Sequence, residues 1–287
     1  MKTAIMTDTN CGINKKEADE LGIFLLPMPV IVKDKTYLEG IDISLGEMYE
    51  MMEDGIETST SQPSPGSLME MWDDILEEYD EVVHIPMTSG LSGSCENARG
   101  LARGYKGRVI VVDNHRISVP QRESVLEAKK MADMGKNGQE IAEYLEESGK
   151  DSSIYITVSD LKYLQRSGRL GSTSAFLGSL LNIKPILTIQ GEKIDAFAKC
   201  RGIKLCERKM IEALENDINV RFKDVPKENI QVVVAGTLKE QDEIDEWTKA
   251  VQEAFPYSRV YYNALPCSIL SHAGPGCKGL GAVVKKY

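Results

Sequence analysis

Short runs of Val and Ile that alternate with stretches of helical period constrain this chain more than any other feature. Strands buried on both faces read as continuous apolar runs, and a parallel sheet needs helices to connect such strands. Lys2–Met6, Val82–Pro86 and Val109–Val112 are runs of this kind. Around them the periodicity predicts helices over Lys15–Leu21, Leu45–Met52, Leu68–Tyr79, Asn97–Tyr105, Arg122–Met134 and Gln139–Glu147. In the third of these, Leu68, Met71, Trp72, Ile75 and Leu76 share one face. Phe24–Val32 reads as one extended segment whose two prolines push it toward a sheet edge. The pattern implies an N-terminal, Rossmann-like α/β domain over residues 1–150, with a parallel sheet covered on both faces.

After the polar break at Glu146–Ser153 the order changes. Strands are predicted at Ile154–Val158, Val232–Ala235 and Arg259–Tyr262, and helices at Leu161–Leu164, Ala175–Leu181, Cys206–Leu214 and Glu243–Phe255. Lys184–Ile189 and Ile194–Lys199 flank Gln190-Gly191-Glu192 as a hairpin. Residues 151–287 therefore read as a C-terminal α+β domain with a Gly-rich end, and the 287 residues suffice for two lobes with cores of their own.

Composition narrows the partners. With 34 Lys and Arg against 44 Asp and Glu, the net charge of −10 repels nucleic acid and anionic membrane surfaces. No window reaches the roughly 18 apolar residues of a membrane span; Phe176–Ile189 comes nearest and is broken by Gly178, Ser179, Asn182, Lys184 and Pro185. The first residues lack an apolar leader, which points to a cytoplasmic location. The six cysteines never approach a C-x-x-C spacing and read as reduced, inert thiols. Histidines stand only at 84, 115 and 272, without metal-ligand spacing, so no metal is expected. His84 falls in a strand and His115 just beyond one, both as structural positions. His272 belongs to Ser271-His272-Ala273-Gly274-Pro275-Gly276, where two glycines let backbone approach a ligand closely.

No G-x-x-x-x-G-K-[ST] or strand-linked G-x-G-x-x-G is present, so nucleotide cofactors lack a phosphate loop. The chain offers instead two hydroxyl-dense junctions before helices, Thr58–Ser64 and Thr88–Ser94. Helix N-termini with added hydroxyl donors hold a carboxylate or phosphate without a lysine, although the same hydroxyls also serve as ordinary caps. Gly90-Leu91-Ser92-Gly93-Ser94 is also close to the G-x-S-x-G nucleophile elbow. Asp113 or Asp160 with His272 would complete a hydrolase chain order around Ser92, but Ser94 stands where the elbow needs glycine.

Thr60-Ser61-Gln62-Pro63-Ser64, Ser89–Ser94, Leu161–Leu164 leading to Ser167-Gly168-Arg169-Leu170, Leu181–Leu187 and His272–Gly276 together resemble the DegV family of bacterial fatty-acid-binding proteins. The resemblance runs from Thr7-Asp8 to Gly276. Departures are small-for-small: Thr9-Asn10 in the opening motif, Ser167 for a glycine, Asn114 for a serine and Ser94 for a threonine. They bear on lipid preference more than on fold. The resemblance implies a two-lobed carrier enclosing one long-chain fatty acid, its carboxylate near the lobe junction and its tail in a tunnel, with no further cofactor. A separate fatty acid kinase would receive the bound acid. By motif, Thr60 and Ser92 hold the carboxylate, Ser61 and the Gly93 N–H lie nearby, and His272 and Arg169 join the surrounding polar network. Arg201 belongs to that network or to the kinase face. The run Phe176–Ile189 would wall the tunnel.

Overall fold

A computed structural model describes residues 1–170, 183–191 and 193–287. The predicted helix at Ala175–Leu181, the first half of the run Phe176–Ile189 and Glu192 of the hairpin turn lie outside the described residues. The described chain forms two compact units. The first comprises Met1–Lys150 with Pro266–Ser268 and Tyr287, the second Asp151–Leu265 with Ile269–Lys286.

The first unit is built on β1 (Thr3–Asp8), α1 (Lys15–Leu21) and β2 (Phe24–Leu26), then β3 (Pro29–Val32), β4 (Lys35–Leu38), α2 (Leu45–Glu53) and β5 (Thr58–Thr60). It continues with α3 (Pro65–Glu78), β6 (Glu81–Ile85), α4 (Ser94–Ala102), β7 (Val109–Val111), α5 (Ser118–Asp133) and α6 (Gly138–Glu147). Four strands make a parallel sheet in the order β2-β1-β6-β7. Side chains alternate across it. Ile5, Val83 and Ile85 pack with Val125, Met131 and Ile141 on one face, while Ala4, Met6 and Val82 pack with Leu68, Trp72 and Ala98 on the other. The two covered faces explain why β1 and β6 read as unbroken apolar runs.

Phe24–Val32 is not one strand. Pro27 and Met28 separate β2, at the edge of the parallel sheet, from β3, which joins the small antiparallel sheet β4-β3-β5. Helix α3 begins three residues earlier than its apolar pattern, because Ser64 caps it by accepting the Ser67 N–H at 3.0 Å and Pro65 suits the first turn.

The second unit carries β8 (Ser152–Thr157), α7 (Lys162–Ser167), β9 (Ile183–Ile189), β10 (Ile194–Arg201), α8 (Ile203–Val220), β11 (Ile230–Gly236), α9 (Gln241–Ala254), β12 (Tyr262–Ala264), α10 (Cys267–Ala273, whose first two residues belong to the first unit) and β13 (Lys278–Val284). Its six-stranded sheet runs β10-β9-β8-β13-β11-β12, antiparallel except for the β11–β12 pair. Met210, Leu214 and Ile218 of α8, with Trp247 and Val251 of α9, bury the apolar residues of this sheet. The expected hairpin is present as β9 and β10. The strand expected at Arg259–Tyr262 sits further along, as β12. The Gly-rich end is β13, a fully buried central strand that the sequence reading missed.

Candidate functional site

In the parallel sheet, β1 leads through α1 to β2 on one side, and β6 leads through α4 to β7 on the other. Ala18 of α1 packs with one core and Ala98 of α4 with the opposite one, so the connections diverge between β1 and β6. Such a switch point opens a crevice at the C-terminal strand ends, the usual ligand position in open α/β sheets. The loop Thr88–Ser94 rises from that end of β6.

Buried carboxylates hold this loop. Asp8, the last residue of β1, accepts the Met87 N–H at 2.8 Å and the Gln121 Nε2 at 3.1 Å. Asp113, just beyond β7, accepts the Ser89 N–H at 3.4 Å and the His115 N–H at 3.1 Å. Within the loop, Thr88 Oγ1 accepts the Gly90 N–H, and Ser92 Oγ accepts the Ser94 N–H at 3.2 Å. Ser94 is buried, and its Oγ has no hydrogen-bond partner among the described residues. The start of α4 thus presents a spare hydroxyl beside backbone N–H groups that the helix does not use.

The other hydroxyl loop comes to the same place. Gln62 Oε1 lies 3.8 Å from where a Cβ on Gly93 would stand. Thr60 ends β5, and the Ser61 N–H donates to Pro29 O at 3.2 Å, which ties the loop to β3. The structure therefore brings Gln62 of one hydroxyl loop beside Gly93 of the other within the first unit, with Ser61 and Gly93 exposed and Thr60 and Ser92 half-buried.

Arg169, His272 and Arg201 lie in the second unit. Arg169 follows the left-handed Gly168 that ends α7, and its Nη1 donates to Ser167 O at 2.6 Å. His272 is in α10. Burial, and then the charge of Arg169, pushes its imidazole down to about 4, so the ring is neutral at physiological pH. The turn after it is tightly held: Gly274 N–H donates to Leu270 O at 2.8 Å, and Thr237 Oγ1 donates to Gly274 O at 2.7 Å. Arg201 is exposed at the end of β10, opposite Ile183.

Sequence reasoning passed over Asp8 and Gln121 as supports of the loop, and considered Asp113 only as a hydrolase partner of Ser92. Asp8 had a readable signal, a carboxylate directly after an apolar strand. The other groups are silent until the fold assembles them. The buried Cys95 thiol, the exposed Glu96 and the buried Asp113 also place their ligand atoms within 4.8 Å of one another. Burial pushes the Cys95 thiol up to about 12, which makes it a poor metal donor.

A family model described as an uncharacterised protein of the DegV family matches residues 2–285. The chain belongs to the DegV family. Protein DegV of Bacillus subtilis is 32% identical over 98% of this chain and 98% of its own length. A DegV domain-containing protein of Caldanaerobacter subterraneus is 31% identical over 97% of this chain and 98% of its own. Among solved structures, the Bacillus subtilis DegV, described as a fatty acid binding protein, superimposes with a TM-score of 0.87 at 28% identity, covering 99% of this chain and all of its own. A Thermus thermophilus DegV family protein, whose structure is described by its fatty acid binding, gives 0.87 at 27% identity over 99% and 100% of the two chains. The mixed α/β fold with a separate parallel sheet is thus a DegV fold.

Proposed function

We propose that this chain binds one long-chain fatty acid in an internal tunnel and serves as a carrier that presents it to a separate fatty acid kinase, without catalysing a reaction itself. The observation that supports this reading is the approach of Gln62, in one hydroxyl loop, to Gly93, in the other, within the first unit. On this reading Thr60, Ser61 and Ser92 supply hydroxyl donors, and Gly93 supplies an N–H with no side chain in the way. A carboxylate that leaves water needs such partners, since an unpaired one is costly to bury. Arg169 and His272 are assigned to the same ligand on the strength of the motif, and exposed Arg201 to the ligand or to the kinase. The DegV relatives described as fatty-acid-binding support the ligand class.

Affinity resides in the tail. At about 0.8 kcal/mol per buried methylene, a chain of about sixteen carbons gains roughly 10 kcal/mol before ordering costs. The hydroxyls orient the head. No helix among the described residues is long and apolar enough to cross a membrane, and the net charge of −10 disfavours anionic surfaces, which suits a carrier working in the cytoplasm.

Mass spectrometry of the purified protein tests the reading. A one-to-one adduct under native conditions, lost on denaturation and yielding a long-chain acid, is expected. A clean mass that persists after addition of palmitate and oleate would overturn it. Thr60→Ala with Ser92→Ala should lower occupancy at least tenfold at limiting lipid, because each lost donor costs about 1–3 kcal/mol. The competing chemistry, nucleophilic attack by Ser92, predicts covalent labelling by a fluorophosphonate. Ser92 Oγ instead acts as a turn cap toward the Ser94 N–H, and the lipid-free protein is expected to stay unlabelled.

A further inference from the structure

The turn after β7 holds its backbone in an unusual shape. His115 and Ser118 both have left-handed φ values, 58 and 56, a region that is sterically costly for any residue with a Cβ. Such strain persists only where the surroundings over-determine the backbone. Between the two stands Arg116, 1% exposed. Its Nη1 donates to Ser124 Oγ at 2.8 Å, its Nε to Gly149 O at 3.3 Å and its Nη2 to Ser148 O. Ser148 and Gly149 follow the last turn of α6, where unpaired carbonyls and the negative end of the helix dipole both favour a cation. The packing around it is close: Asn114 Nδ2 donates to the same Ser124 Oγ at 2.7 Å, and a Cβ on Gly149 would stand 2.7 Å from Asn114 O. All these residues belong to the first unit.

The backbone of the same turn reaches the hydroxyl loop. Arg116 O accepts the Thr88 N–H at 2.9 Å. Thr88 is buried and acts as the pivot of its loop: its carbonyl accepts the Leu91 and Ser92 N–H groups at 3.2 and 3.3 Å, and its Oγ1 accepts the Gly90 N–H at 3.2 Å. The next N–H, of Ser89, goes to Asp113, which also accepts the His115 N–H. From the end of α6 to Ser92 the connection is thus a short series of hydrogen bonds through Arg116 and Thr88. Without the guanidinium the left-handed residues are free to relax, and Thr88 follows Arg116 O.

We propose that Arg116 is a positioning residue for the carboxylate site: its buried side chain holds the strained turn at residues 115–118, and that turn sets Thr88 and with it Ser92 and the Gly93 N–H. The role rests on the fatty-acid reading above and deepens it, because it names a residue that shapes the head-group loop from the interior of the first unit.

Dissociation of 11-(dansylamino)undecanoic acid from the delipidated whole chain, together with amide hydrogen exchange, tests it. Arg116→Lys keeps the charge but loses the planar fork that reaches three acceptors, so the probe should leave about five- to tenfold faster. In that variant the Thr88 amide should accelerate about tenfold more than the Ile5 amide of β1, whereas a general loss of stability speeds both by the same factor. Ser118→Gly loosens the turn in another way, since glycine adopts this φ without steric cost. Its lipid-free Tm should stay at or above that of wild type while release quickens about two- to fivefold. Ile75→Val, in the core on the other face of the parallel sheet, should lower Tm and leave release unchanged. Wild-type release in Arg116→Lys overturns the proposal, and so does faster release in which both amides accelerate alike. Should that variant not fold, Ser118→Gly with wild-type release overturns it equally. A wild type that retains no probe refutes the fatty-acid reading itself, and the Thr88 exchange then still decides whether Arg116 sets the loop.

Discussion

His84 shows how far a single side chain can bend the pH response of this fold. It sits in β6 between Val83 and Ile85, 2% exposed and edge-on to Trp72 with ring centroids 5.7 Å apart. Neither ring nitrogen has a hydrogen-bond partner among the described residues, and burial pushes the imidazole down to about 3. An unfolded histidine titrates near 6.5, so between about pH 6.5 and 3 the unfolded chain holds a proton that the folded chain lacks. Stability therefore falls as pH falls through that window, by up to about 1.4 kcal/mol per unit, or about 2 kcal/mol at pH 5. His84→Leu removes the penalty and should raise the urea midpoint more at pH 5 than at pH 7.5. An equal shift at both would show that the imidazole is not held neutral. Glu39 acts in the opposite sense: with its folded value raised to about 7, its contribution is complete below about 4.5 and is lost as pH rises through 7.

Among the elements, glycines decide where the pattern could be read. The alternating elements of the first unit were legible because β1 and β6 are buried on both faces and α3 keeps a clean apolar stripe. Strand β13 was not, because Gly279 and Gly281 interrupt its apolar run. Their lack of side chains is what the sheet needs: a Cβ on Gly279 would stand 3.0 Å from Ala235 O, and one on Gly281 3.2 Å from Ser153 O. The hydroxyl loops could be recognised as consecutive Ser and Thr residues before helices. The Glu39–Ser268 contact joins positions 229 apart in the chain, beyond any local pattern. Glycines also differ sharply in tolerance. At Gly274, with φ +74, a Cβ would lie 2.3 Å from the Tyr163 ring, whereas Gly55, with φ +77, has nothing within 4 Å. Gly274→Ala should cost about 2 kcal/mol or more and weaken lipid retention by displacing the His272 turn, while Gly55→Asn should stay within about 1 kcal/mol of wild type. Urea unfolding of the two variants checks the contrast, which would fail if both shifted alike.

At the scale of the whole molecule, the first unit is not a contiguous piece of chain. Pro266–Ser268 and Tyr287 return to it from the C-terminal part. The Ser268 N–H donates to Glu39, its hydroxyl lies 3.0 Å from both Glu39 Oε1 and Asn10 Oδ1, and the Tyr287 ring packs edge-on against Tyr144 with centroids 4.9 Å apart. A fragment of residues 1–150 therefore lacks these contacts and leaves Glu39 with its bond from Thr9 but without Ser268. Its urea midpoint should lie well below that of the intact chain, and an equal midpoint would show that the returning residues contribute nothing. Ligand binding works on the same balance from the other side. An acid that binds the folded chain and not the unfolded one stabilises by about 2.7 kcal/mol at a hundred times its Kd. Palmitate added to delipidated protein should raise Tm in a concentration-dependent way. The Thr60→Ala, Ser92→Ala double variant should show little of that rise while keeping its lipid-free Tm near that of wild type, because both hydroxyls are half-buried at the ends of loops rather than in either core. A full rise in the double variant would mean that the head group is held elsewhere. A lowered lipid-free Tm with the rise intact would mean that these hydroxyls serve the fold, as Ser64 does at the start of α3.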